Sequence, residues 1–295
     1  MNDSLRKIFR LIADPIIFGN FFISVCATGL VLETYVLLGH QPLFDGLAFF
    51  VFFSTLALYN FHRLMGVRRI KPEDQGEITG WAAKHQFTLL MLVIIGLGGL
   101  GFFFFQLPIK IISTLIPLGA ISVFYELPLV KYNKGFERLR NLWLSKAFLI
   151  TIVWGLTTAL LPAMNMNLSL LDFRIWLVVT ERILFIFILA LNFDARDVIF
   201  DQHDALKTIP IVYGKEVTNK LYRIISVAFL LISLVHYLAL QREWGAALAM
   251  TISIACTYLV VIKTEPRKSD YYYMFLVDGM MLWQFLLLAA LSMIL

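Results

Sequence analysis

Between Asn192 and Gly214 the chain reads NFDARDVIFDQHDALKTIPIVYG, and its four aspartates, Asp194, Asp197, Asp201 and Asp204, recur at spacings of three or four residues. On a continuing helix Asp197 and Asp201 stand about one turn apart on one face, and Asp194 and Asp204 extend the same side. Like charges so placed repel one another. A divalent cation relieves that repulsion, and hard oxygen donors that leave coordination positions open suit Mg2+ bridging a phosphate. The same spacing also describes a solvated acidic loop capping a helix. Arg196 and Lys207 lie among these acids, either as charge-balancing partners or as phosphate contacts.

The order Asp197-x-x-x-Asp201, Lys207-Thr208, Pro210 and Gly214 resembles the second aspartate-rich motif of the UbiA-like prenyltransferase superfamily, whose usual text is close to DxRDxxxDxxxGxKTxPxxxG. The resemblance implies an all-α polytopic membrane protein, with nine transmembrane helices in one integral membrane domain over residues 1–295 and this motif after the sixth helix. It also implies an enzyme that binds a polyprenyl diphosphate through Mg2+ and transfers the prenyl group to a small, often aromatic, acceptor. In that role Asp197 and Asp201 would be the catalytic, metal-holding pair, with Asp194 and Asp204 assisting as metal ligands.

The family's first motif, NDxxDxxxD, is largely lost. At the corresponding place the chain reads Tyr59-Asn60-Phe61-His62-Arg63-Leu64-Met65-Gly66-Val67-Arg68, where Asn60 alone survives, as an expected diphosphate contact, and Phe61, Leu64 and Arg68 stand where acids are expected. Arg63, Arg68 and the neighbouring Arg69 are either guanidinium contacts to a diphosphate in place of a metal or plain inner-face charge. His62 is read as a local hydrogen-bonder before a metal ligand. A Tyr and Lys pair that holds the diphosphate in the family is matched by Tyr125 and Lys131, with Lys134 nearby. The same two residues also suit an interfacial aromatic with a snorkelling lysine.

The elements that must position these groups are apolar. Hydrophobic residues make up 60% of the chain and charged ones 15%, against a charged fraction of about 25% in a soluble domain, and the mean hydropathy is +0.80. Nine apolar runs follow, roughly 15–38, 43–61, 86–105, 108–130, 142–163, 173–192, 221–240, 244–262 and 271–295, each near the ~20 residues that cross a bilayer. Lipid offers no backbone partners, so each is expected as helix, and the first is too long for a cleavable signal. With the N-terminus in the cytoplasm and the C-terminus opposite, 21 of the 25 Lys and Arg fall on the inner side. A net charge of +5 is then accounted for by topology and anionic lipid, without nucleic acid.

Of the charges inside the runs, Glu33, Glu181, Arg182 and Asp278 are the suggestive ones. Such groups are costly in lipid and are expected to pair with one another, Arg182 with Glu33 or Asp278. Cys26 and Cys256, far apart in apolar runs, read as packing residues. Gly96, Gly98 and Gly101 satisfy GxGxxG without a strand before them, so they read as close helix packing and not as a phosphate loop. The wealth of Phe, Tyr and Trp suits a cavity stabilising an allylic cation as well as ordinary packing. Three rivals to the enzyme stand beside it: a non-catalytic isoprenoid- or lipid-binding relative, motivated by the lost acids; a CDP-alcohol phosphotransferase, whose DGxxAR segment is absent; and a transporter, disfavoured because no half repeats the other. Acceptor, prenyl chain length and oligomeric state are not legible.

Overall fold

The computed structural model describes residues 3–67, 76–127, 130–132, 135–139, 145–203, 206–265 and 269–294. Among these, regular structure is helical apart from an antiparallel ribbon, β1 (Val130–Tyr132) and β2 (Gly135–Glu137), with Lys131 opposite Phe136. Among the described residues, seven helical stretches are long and apolar enough to cross a membrane: Gly46–Val67, Gln86–Phe104, Lys146–Asn165, Phe173–Arg196, Ile209–Gln241, Trp244–Val261 and Tyr272–Ser292. The other two expected runs are helical but differ in form. The first is broken, Arg10–Phe18 and Phe21–Leu37 meeting at 55°, and the fourth, Ile109–Tyr125, is shorter than a full span.

In chain order the helices are α1 (Asp3–Phe18), α2 (Phe21–Leu37), α3 (Gly46–Val67), α4 (Glu77–Lys84), α5 (Gln86–Phe104), α6 (Ile109–Glu126), α7 (Ser145–Gly155), α8 (Leu161–Asn165), α9 (Phe173–Arg196), α10 (Val198–His203), α11 (Ile209–Leu234), α12 (Trp244–Val261) and α13 (Asp278–Ile294). Among the described residues three π-helical segments, Leu156–Leu160, Val235–Gln241 and Tyr272–Val277, join or extend them. The chain forms two compact units, each discontinuous in sequence: Met1–Gly29, Leu43–Leu107 and Ser269–Leu282 in one, Leu30–Pro42, Pro108–Lys268 and Trp283–Leu295 in the other.

In the first unit α3 lies directly on α5. A Cβ at Gly96 would stand 2.7 Å from the Ala57 backbone nitrogen and one at Gly99 would stand 2.3 Å from the Phe53 ring, so these glycines, three apart on one face, allow the approach. Gly98 and Gly101 meet nothing within 4 Å. Phe87, Ile94, Ile95, Leu97 and Phe102 of α5 are exposed, the apolar outer surface expected of a lipid-facing helix. The break between α1 and α2 is made by Asn20, whose φ of 60° is left-handed, a conformation Asn tolerates better than most residues.

In the second unit α9 is the central helix, packed by α7, α11 and α12. Its Ile175, Val178, Phe185, Ile188 and Leu191 are buried, as is Phe229 of α11. Pro210 occupies the first turn of α11 and Gly214 bends that helix with φ 79°. Proline's missing N–H has no cost at a helix start, and glycine alone enters the left-handed region freely.

Candidate functional site

The second unit gathers three of the four predicted aspartates. The α9 helix ends at Arg196, and the backbone passes through Asp197 (φ −82°, ψ 2°) into α10 without losing its helical course. Asp197 N–H donates to Phe193 O at 2.9 Å and Asp201 N–H to Asp197 O at 2.8 Å. The i, i+3 and i+7 positions therefore keep one face, and Asp194, Asp197 and Asp201 project together.

What they surround is Lys146, from the first turn of α7. Its ammonium Nζ lies 2.8 Å from Asp201 Oδ2, 3.2 Å from Asp194 Oδ1 and 3.4 Å from Asp197 Oδ2. Asp194 is 2% exposed and Asp201 7%, so the low local dielectric strengthens each attraction and makes an unpaired charge there costly. Arg196 completes the balance, its Nε donating to Asp197 Oδ1 at 2.7 Å while its guanidinium lies 4.8 Å from the centre of the Phe193 ring. Burial by itself pushes the Asp197 carboxyl up; Arg196 and Lys146 outweigh it and bring the group down to about 2. Tyr125 stands within electrostatic reach of Lys146 and so joins this site.

Lys146 was not singled out from the sequence, where it reads as one more inner-face lysine ahead of an apolar run. Its only distinctive sign is its place at the very start of a span, where a long side chain reaches the polar ends of neighbouring helices. The other motif residues serve the surroundings. Asn192 Nδ2 donates to Val261 O at 3.2 Å and to Thr264 Oγ1, fastening α9 to the end of α12. The Leu206 N–H bonds Asp201 O at 2.8 Å, holding the approach to α11 beside α10. Thr208, 3% exposed at the start of α11, leaves its hydroxyl without a hydrogen-bond partner among the described residues. Lys207 is exposed.

The residues expected from the first motif belong to the first unit and are engaged there. Asn60 is 0% exposed; its Nδ2 donates to Gly19 O at 2.9 Å and Leu56 O at 2.8 Å, and its Oδ1 accepts from Asn20 Nδ2 at 3.0 Å. Arg63 donates to Asn20 Oδ1 at 2.8 Å. Both thus secure the corner at Asn20, a partner the sequence reading did not name. Lys131 pairs through its backbone in β1. Its side chain, together with Arg68, Lys134 and Asp204, lies outside the described residues.

Among the described residues no three His, Cys, Asp or Glu are arranged as a preformed metal centre. Asp194, Asp197 and Asp201 are hard oxygen donors, and the position on which they converge is taken by the Lys146 ammonium. Comparison with protein-family models, with characterised proteins and with solved structures finds no match for this chain.

Proposed function

We propose that the chain is an integral membrane enzyme of the UbiA-like type, which binds a polyprenyl diphosphate at the carboxylate cluster of the second unit and transfers the prenyl group to a small acceptor. The single observation that carries this reading is the convergence of Asp194, Asp197 and Asp201 on one cation position at the end of apolar helices. Asp197 and Asp201 are the residues that would hold Mg2+, with Asp194 behind them, and Asp204 extends the set in sequence. A bound Mg2+ would supply charge neutralisation to a departing diphosphate. Arg196, Lys207 and Tyr125 are the chain's own donors for diphosphate oxygens on this side, and Lys131 is the matching lysine by sequence. Titration with a non-hydrolysable prenyl diphosphate analogue in the presence of Mg2+ tests the reading. Asp197→Asn and Asp201→Asn should each abolish binding with the fold intact; unchanged affinity in both removes the metal-site assignment.

The non-catalytic relative is the second reading, favoured by the hydrogen bonds of Asn60 and Arg63. These residues hold the α1–α2 corner in the first unit, and with acids absent at Phe61, Leu64 and Arg68 the first motif offers no second metal wall. Release of diphosphate in a single turnover separates the two: an enzyme liberates it, a binding protein does not. The N-terminus is assigned to the cytoplasm from the distribution of basic residues. In a variant with Cys26 and Cys256 replaced by Ala, Asn2→Cys and Arg242→Cys should label from opposite sides, and labelling of both from one side sinks that topology.

A further inference from the structure

The first unit holds a second gathering of charged groups, where its spans end. Arg10, Asp14 and Phe18 fall four apart along α1 and so share a face, and the short helix α4 packs against α1. Arg10 Nη2 donates to Glu77 Oε1 at 2.8 Å, and Ser269 Oγ donates to Glu77 Oε2 at 3.0 Å. The Asp270 carboxylate accepts from the Ile78 N–H at 3.0 Å, and the Tyr271 hydroxyl donates to Asp14 Oδ1. Between these elements lies a cavity of about 390 Å3, whose walls include Arg10, Asp14, Phe18, Trp81, Lys84 and Tyr271. That volume stands at the small end of the ~300–1,000 Å3 that ligand pockets occupy.

One side of the cavity is aromatic. Phe18, 2% exposed, has the Tyr271 ring at 5.0 Å and the Trp81 ring at 6.0 Å, both tilted to it. His85 stacks on Trp81 at 4.4 Å, and its Nδ1 lies 2.9 Å from Trp81 O, which fixes both rings. Rings gathered in this way beside a carboxylate favour an organic ammonium. The charges on the walls are of both signs. Arg10 and Glu77 cancel each other, which leaves Asp14 beside the rings and Lys84 in the last turn of α4, exposed and in no ion pair among the described residues. A simple anion would be repelled by Asp14 and a simple cation by Lys84, so the lining is complementary to a ligand that carries both charges.

Two features set the depth of this cavity. The apolar stretch Gln86–Phe104 begins directly after His85 and Tyr272–Ser292 directly after Tyr271, so the rings stand at the ends of spans, the level at which Trp and Tyr collect in membrane proteins. Ile12 and Ile16, on the side of α1 opposite Arg10 and Asp14, are exposed, as on a helix that lies in the interface with its apolar face toward the acyl chains. We infer that the cavity binds the headgroup of a zwitterionic phospholipid, with the ammonium beside Asp14 among Phe18, Trp81 and Tyr271 and the phosphate on Lys84. A soluble amino phosphate carries the same two charges; the depth of the cavity favours the lipid. A lipid so held joins α1 to α4.

The test is native mass spectrometry of the full chain in detergent, titrated with dioctanoyl phosphatidylethanolamine, phosphatidylcholine and phosphatidylglycerol. At least one of the two zwitterionic lipids should bind about tenfold or more tightly than phosphatidylglycerol, the scale of one charge-assisted contact. Lys84→Glu, at an exposed position, should remove that preference by repelling the phosphate. Asp14→Asn keeps an acceptor for Tyr271 but loses the charge, and should shift the preference toward phosphatidylglycerol, which a merely structural role would not do. Gly80 lines the cavity, and a Cβ there meets nothing within 4 Å, so Gly80→Leu fills the space without a backbone clash and should abolish the selective binding; it decides the matter if Asp14→Asn fails to fold. Phosphatidylglycerol bound as tightly as both zwitterions by the parent chain overturns the inference, as does a preference unchanged in Gly80→Leu. Glycerophosphoethanolamine or glycerophosphocholine bound as tightly as its lipid assigns the cavity to a soluble zwitterion and overturns it too. None of these outcomes depends on the diphosphate reading, whose residues belong to the second unit.

Discussion

Lys146 and Asp201 meet at 2.8 Å across 55 residues of sequence, and the ammonium is the point on which the whole acidic face converges. Three carboxylates without it would repel one another at the end of apolar helices. Lysine and metal are therefore alternative answers to the same electrostatic problem, and a cation that enters the cluster must displace the lysine or share the acids with it.

Removal of that charge should be costly. Lys146→Met leaves buried carboxylates uncompensated, and breaking a buried pair from one side costs about 3–5 kcal/mol. Denaturant unfolding in detergent measures it. Adding Asp201→Asn to Lys146→Met should recover part of the loss, because one of the repelling charges goes with it; a double variant weaker by the full sum would show that the two residues do not interact.

Acid should act on the same cluster through Asp197. Its carboxyl lies at about 2 in the fold against an ordinary 3.8, so the unfolded chain takes up the proton first as pH falls. The stabilisation is complete above about pH 4 and is lost as pH drops through about 2, amounting to roughly 2 kcal/mol. Stability measured against pH should show an acid limb that Asp197→Asn flattens. An unaltered limb in that variant would place the acid sensitivity elsewhere.

Asn60 offers a contrast between scaffold and ligand contact. In Asn60→Leu the Asn20 amide and Gly19 carbonyl lose their buried partner, at a cost of about 2 kcal/mol or more. Thermal unfolding should register this loss while affinity for the diphosphate analogue stays as in the parent. Lost affinity in a folded Asn60→Leu variant would return the residue to the binding site.

The glycines of α5 should separate by face. Gly96→Ala drives a Cβ into the Ala57 backbone and Gly99→Ala into a Phe53 ring; overpacking of this kind costs about 1–3 kcal/mol. Gly96 should be the worse, since a ring can turn and a backbone cannot. Gly98→Ala meets nothing within 4 Å and should be nearly silent. Equal effects at all three would deny that α3 and α5 pack through this face.

The helices were legible because lipid forces each span to satisfy its own backbone, so hydropathy and length alone locate them. The acidic face was legible for a similar local reason: aspartates at i, i+3 and i+7 must share a side if the helix continues, and it does through Asp197. The broken first span was harder to see, because Gly19-Asn20 lies inside an unbroken apolar run and the bend depends on Asn60 and Arg63 reaching Asn20 from α3. The charges inside the spans announced their cost without naming their partners. Arg182 faced two acids in the sequence, Glu33 and Asp278, and only the packing of α9 on its neighbours gave it Glu33 and left Glu181 to His236. Lys146 carried no local mark beyond its place at the start of a span. A side chain's period along its own helix sets its face, but which residue stands opposite is set by helices brought together from far along the chain, and that the tertiary structure alone decided.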